Sequence, residues 1–315
     1  MSKHKRIDVH QHIVPSFWAD ALPSHGGDPS GWSCPAWSED SALAYMDSIQ
    51  IETGVLSLTA PGVKGWSGQA KLDMARKVNE YTAGVVARHP HRFGNFATLP
   101  LPDIDGSLAE IGYSFDVLKA DGVVLLSNYD GTYLGDSAFD QVWAELDRRK
   151  AVVFIHPSMP PMAPLSGMPG PMIDYPFDTT RTAVHLVLNG VISRYPNLHI
   201  ILSHAGGFLP YAAQRVAEVS AMVQKDTLTT DAVLQQLSTF YFDTALSSPS
   251  ALPSLVAFAR PDRLLFGSDF PYAPANIAAK FTAYQDTSTY LSPEQHHALD
   301  RTNALALFPR LANVR

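Results

Sequence analysis

The chain has 315 residues, 46% hydrophobic and 17% charged, and a formal net charge of -7 with no basic run. That composition excludes intrinsic disorder and argues against a nucleic-acid partner, because phosphate binding needs clustered Lys and Arg. The single cysteine, Cys34, excludes an internal disulfide, and no apolar run approaches a membrane span.

The opening "MSKHKR" runs straight into a strand without an apolar leader segment, so the cytoplasm is the expected compartment. That strand, "RIDVHQHIV" (6–14), carries His10 and His12 one residue apart, on one face by strand alternation. Next comes "TGVLSLTAPG" (53–62), then a helix expected over 67–88, with Leu72, Ala75, Val78, Thr82 and Val85 at helical spacing. "RFGNFATLPL" (92–101) precedes a helix near 106–118, and "ADGVVLLSN" (120–128) precedes a helix over 137–150 that Asp136 can cap. "AVVFIHP" (151–157), "LHIILSHAGG" (198–207), "FYFDTA" (240–245) and "RLLFGSDFP" (263–271) complete eight strands, each followed by a helix or a helix-bearing connection. Several are continuously apolar, as strands buried on both faces are. A last helix opens at "SPEQ", where Ser292, Pro293 and Gln295 form a capping pattern.

This order predicts one α/β domain over residues 1–315, a (β/α)8 TIM barrel. Two stretches break its rhythm: 14–38, with Trp18, Trp32 and Trp37, and the Pro- and Met-rich 157–176. Each follows a strand end bearing His. They are expected as insertion loops walling the C-terminal face, the alternative being ordinary surface insertions.

In a barrel the C-terminal strand ends meet around one axis, which brings together His10, His12, His156, His204 and Asp269. Any one of them alone could be a satisfied core or capping residue. His10, His12, His156 and Asp269 together form a nitrogen-rich set with one carboxylate, suited to one divalent ion, zinc first and manganese or iron as alternatives. Asp243, at the end of the seventh strand, could support that set or simply cap a turn.

The order HxH on strand one, His on strand five, "SHAGG" on six and "LLFGSDFPY" on eight resembles the amidohydrolase superfamily. Within it, the chain resembles the branch that contains the α-amino-β-carboxymuconate-ε-semialdehyde, γ-resorcylate and 6-methylsalicylate decarboxylases. "RFGNFATLPL" and the terminal "NALALF" extend the likeness over essentially the whole chain. The fourth strand, "GVVLLSN", has no lysine to bridge two metals, which implies a mononuclear site. The resemblance implies His10, His12, His156 and Asp269 as metal ligands and His204 as a catalytic residue outside the ligand set. It also implies that Arg215 binds the substrate carboxylate from a neighbouring subunit of a homodimer or higher oligomer; otherwise Arg215 is a solvated helix-face charge. "EDSALAYMD" lacks the arginine that helps hold a dicarboxylate, which favours an aromatic monocarboxylate, and the three tryptophans favour a ring. The expected activity is nonoxidative decarboxylation of a phenolic acid such as 6-methylsalicylate, with Asp269 or His204 handling the proton. Hydrolysis of a lactone or related cyclic ester is the alternative.

Overall fold

The computed structural model describes residues 5–312. Eight parallel strands lie side by side in chain order: β1 (Arg6–His12), β2 (Ile51–Ser57), β3 (Phe93–Thr98), β4 (Gly122–Leu126), β5 (Val152–His156), β6 (His199–Leu202), β7 (Tyr241–Asp243) and β8 (Leu264–Leu265). The ring closes through backbone bonds from the stretch after β8 to β1. Val9 N donates to the Phe266 carbonyl (3.0 Å), Asp269 N to that of His10 (2.8 Å) and His12 N to that of Phe270 (2.8 Å). The expected barrel is therefore the observed one.

The last strand is shorter than "RLLFGSDFP" suggests. Regular pairing stops at Leu265, and four residues on Asp269 adopts a left-handed backbone (φ 66°) beside the histidines of β1. Pairing in β1 is also irregular, with a register shift between Asp8 and Gln11. Strict alternation would put Asp8 on the face of the histidines, but its carboxylate instead accepts from Gln11 Nε2 at 2.9 Å. Below the histidines, Ile7, Val9, Phe96, Val124, Phe154, Leu265, Leu307 and Phe308 form one buried cluster. The Phe154 ring lies 4.9 Å from that of His10, so the apolar plug supports the floor of the site.

The expected helices form with small shifts, at Gly68–Arg88 and Ile104–Asp116, and as a 3-10 turn running into Asp140–Arg148. Asp136 accepts from Ala138 N, and Ser292 and Gln295 form the capping box. No helix among the described residues is long and apolar enough to cross a membrane.

Both insertions are more ordered than expected. The first winds into a helix at Ser16–Ala21 and a 3-10 turn at Leu22–His25. Trp18 is fully buried there, donating to the Gly62 carbonyl (2.9 Å) and packing with Val14, Leu22, Leu58 and Trp66. It is therefore a packing residue, and of the three tryptophans only Trp32 reaches the cavity described below. The second insertion becomes helix at Gly170–Leu188, because Pro171 sits in its first turn, where a missing N–H costs nothing. Gly170 N donates to the Ser30 carbonyl (2.9 Å), which ties the two insertions together.

Candidate metal centre

His10 and His12 project from the end of β1, His156 ends β5, and Asp269 follows β8. One potential ligand atom from each falls within 4.8 Å of all the others, and all four residues are buried. His10 Nε2 and His12 Nε2 are 3.1 Å apart, and Asp269 Oδ1 lies 3.0 Å from the second and 3.3 Å from the first. Among the described residues no other group of three or more His, Cys, Asp or Glu is so placed.

The far nitrogens of the imidazoles explain their aim. His10 Nδ1 donates to Asp243 Oδ2 (2.9 Å), His12 Nδ1 faces the carbonyl and hydroxyl of Ser57 (3.2 and 3.1 Å), and His156 Nδ1 donates to the Pro157 carbonyl (2.8 Å). Each bond puts the ring proton on Nδ1 and leaves the Nε2 lone pair for the common space. Two lone pairs facing each other at 3.1 Å repel unless a cation lies between them. The donor set therefore fits a divalent ion.

The electrostatics agree. Burial opposes charge on His10, but the carboxylates of Asp243 and Asp269 outweigh it and push its pKa up to about 10. Burial holds His12 and, more strongly, His156 on the neutral side, where the other histidines reinforce it. Burial also opposes ionisation of Asp269, yet the imidazoles of His10, His12 and His204 around it hold its carboxyl well below the usual range. The two carboxylates beside His10 thus favour a cation at the centre.

His204 stands beside this set. Its ring centroid is 4.8 Å from that of His10, and its Nε2 is 3.5 Å from Asp269 Oδ2. It begins an unusual turn, in which His204, Ala205, Gly206 and Gly207 all have φ between 53° and 72°. A non-glycine residue in that region costs on the order of 1–3 kcal/mol. Two contacts hold the turn: His204 N donates to Asp243 Oδ1 (3.1 Å), and Gly207 packs where a Cβ would meet the Pro176 carbonyl oxygen at 1.9 Å. Asp243 thus supports both His10 and His204. Sequence reasoning left it aside, although its place at the end of a strand, level with the other donors, was the available signal.

Arg215 is not part of this assembly within one chain. It lies exposed on the helix Leu209–Val223 with no hydrogen-bond partner among the described residues.

The centre opens into a cavity of about 630 Å3. Its wall is mostly apolar, with Pro171, Met172, Pro176, Phe208, Leu246 and Ile277 prominent. Polar groups come from Thr59, Tyr175, Ser247, Ser250 and Tyr272, with His156, His204 and Asp269 at the floor, and the lining contains no Lys or Arg. A larger cleft of about 830 Å3 lies at the other end of the barrel, around the ion pairs of Glu52 with Lys5 and Arg301, away from the metal donors.

Fold and site together define a parallel barrel whose strand ends bring three histidines and one aspartate together, placed to hold a metal ion, under an apolar pocket. A model of the amidohydrolase family matches residues 7–310, and the chain belongs to that family. It is 42% identical, over 98% of each chain, to a 6-methylsalicylic acid decarboxylase of Penicillium expansum, in line with the expected branch. Among solved structures, a 2,6-dihydroxybenzoate decarboxylase in complex with 2,6-dihydroxybenzoate superimposes with a TM-score of 0.77 at 25% identity, covering 98% of this chain and 100% of that one. A dihydroxybenzoic acid decarboxylase from a Polaromonas species, with bound manganese and 2-nitroresorcinol, superimposes with a TM-score of 0.79 at 23% identity, covering 98% and 97%.

Proposed function

We propose that this chain is a metal-dependent, nonoxidative decarboxylase of a salicylate-type aromatic acid, with 6-methylsalicylate as substrate and 3-methylphenol and carbon dioxide as products. The observation that carries the reading is the metal donor set, with His204 beside it, at the floor of an apolar cavity of about 630 Å3 whose lining has no Lys or Arg. A single aromatic ring with one carboxylate suits that volume and that wall. The name of the Penicillium expansum relative points the same way.

A divalent ion held by His10, His12, His156 and Asp269 would chelate the carboxylate and its ortho hydroxyl oxygen and draw charge from the ring. The protein must then deliver one proton to the carbon that bore the carboxylate, as that bond breaks and carbon dioxide leaves. Asp269 already engages His10 and His12 through Oδ1 and His204 through Oδ2, which leaves His204 the freer group to carry that proton. The apolar walls keep other water away from the ring carbon. A lactone hydrolase could use the same donors, but no polar feature of the wall calls for one. Zinc is our choice of metal from the three-imidazole donor set, and manganese is the competitor, since the Polaromonas structure holds it.

Metal-replete protein incubated with 6-methylsalicylate is expected to release 3-methylphenol and carbon dioxide in equal amounts. If neither forms while lactones are opened, the decarboxylase reading is wrong.

The quaternary reading rests on the helix Leu209–Val223. Phe208, Tyr211, Val219 and Met222 are exposed at helical spacing with Arg215 among them, and Phe208 also lines the cavity. We infer that a second copy covers this stripe, the whole chain working as one domain in a homodimer. Arg215 sits about 10 Å along its helix from its own pocket rim, and in the dimer it reaches the partner's pocket to bind the substrate carboxylate. Sedimentation is expected to give a dimer mass, and Arg215→Ala to raise KM about tenfold or more, the scale of a lost charge-assisted hydrogen bond. A monomer at assay concentration with unchanged KM in the variant would remove both roles. The cytoplasm is the inferred compartment, which cell fractionation checks.

A further inference from the structure

Asp178 is fully buried on the helix Gly170–Leu188, and no Lys or Arg among the described residues forms a salt bridge with it. Arg181 favours its charge without pairing with it, and a buried carboxylate that lacks a paired counter-charge is expensive unless strong donors surround it. Three do. Tyr133 OH donates to Oδ1 (2.6 Å), and Asn128 Nδ2 (2.7 Å) and the Ser127 hydroxyl donate to Oδ2.

Ser127 is the informative partner. Its one hydroxyl proton goes to Asp178, so its lone pairs are free, and its oxygen accepts the N–H of Ser158 at 2.9 Å. That N–H belongs to the Pro157–Ser158 peptide, whose other end is the Pro157 carbonyl that takes the Nδ1 proton of His156 at 2.8 Å. A peptide group is planar, so gripping its N–H also aims its C=O. His10 leans on a carboxylate and His12 on Ser57 of a barrel strand, but His156 leans on its own following loop. That loop needs a clamp.

We propose that Asp178 is a positioning residue for the metal centre: through Ser127 it fixes the Pro157–Ser158 peptide, and that peptide holds His156 in the Nδ1-protonated form with Nε2 turned to the metal. The same helix carries Pro171, Met172, Tyr175 and Pro176 of the cavity wall, so the clamp also sets the wall at a fixed distance from His156. The inference rests on the metal-site reading but not on the substrate, and its test needs no turnover.

The test compares three variants by chelator competition with zinc or manganese, and by 15N NMR of the His156 ring in the metal-free protein. Ser127→Ala removes the acceptor of the Ser158 N–H, and leaves in place the carboxylate, Tyr133 and the bonds of Asn128 Nδ2 to Ser158 Oγ and the Met159 carbonyl (both 3.0 Å). It is expected to weaken metal binding about ten- to a hundredfold, the usual effect of losing a group that orients a ligand, and to mix the two His156 ring tautomers. Asp178→Asn is expected to do the same to a smaller extent, because its one oxygen can still accept from Ser127 and Asn128 but without the negative charge that strengthens those bonds. Tyr133→Phe is the control. It removes a bond to the same carboxylate without touching Ser127, so it should lower the melting temperature while metal affinity and the His156 tautomer stay as they were. If Asp178→Asn fails to fold, the comparison of Ser127→Ala with Tyr133→Phe decides alone. Unchanged metal affinity in Ser127→Ala, or an equal loss in Tyr133→Phe, would overturn the proposal.

Discussion

Replacing His156 with alanine is expected to remove metal and turnover together. Four-ligand zinc sites are worth about 10–16 kcal/mol in small peptides, or roughly 3 kcal/mol per ligand. Losing one ligand should therefore weaken binding more than about a hundredfold. The remaining donors, His10, His12 and Asp269, come from the seam where the barrel closes, so the variant keeps a partial site. Metal content measured after dialysis, beside a thermal melt to confirm folding, gives the answer. A folded variant with normal metal occupancy would take His156 out of the ligand set.

His204→Ala is expected to separate the two properties. His204 is not among the four clustered donors, and its bond to the site is the 3.5 Å contact from Nε2 to Asp269 Oδ2. Metal content should therefore stay normal. Turnover should fall about 10²- to 10⁴-fold, the range for loss of a positioned general acid. The turn around it is anchored by the backbone of His204 and by Gly207, neither of which the variant changes, so the pocket should keep its shape. Near-normal turnover would show that His204 does not handle the proton.

The barrel was legible from its strand count, and the four donors from their common position at strand ends. Alternation correctly placed His10 and His12 together, even though β1 shifts register between Asp8 and Gln11. The same shift misplaces Asp8, and no local residue preference announces a bulge there. The insertions do wall the pocket as loops over the C-terminal face, and only the helices inside them were hidden, because dense Pro and Trp masks helical spacing. Pro171 fits a first helical turn, and Trp18 buries its ring and finds a carbonyl for its N–H. Asp243 and Asp178 show a different limit. Asp243 bonds His10 directly and shared the strand-end position of the other donors, whereas Asp178 reaches His156 only through Ser127 and the Pro157–Ser158 peptide, a path that leaves no spacing motif.

The seam that closes the barrel has a consequence for how the protein is made. Its bonds run between Phe266, Asp269 and Phe270 on one side and β1 on the other, and His12 and Asp269 are 257 positions apart in sequence. A nascent chain emerges with His10 and His12 first, and the set of four stays incomplete until Asp269 has left the ribosome as well. Premature loading on a partial chain is thereby disfavoured, and ions bound at full affinity become a reporter of finished folding.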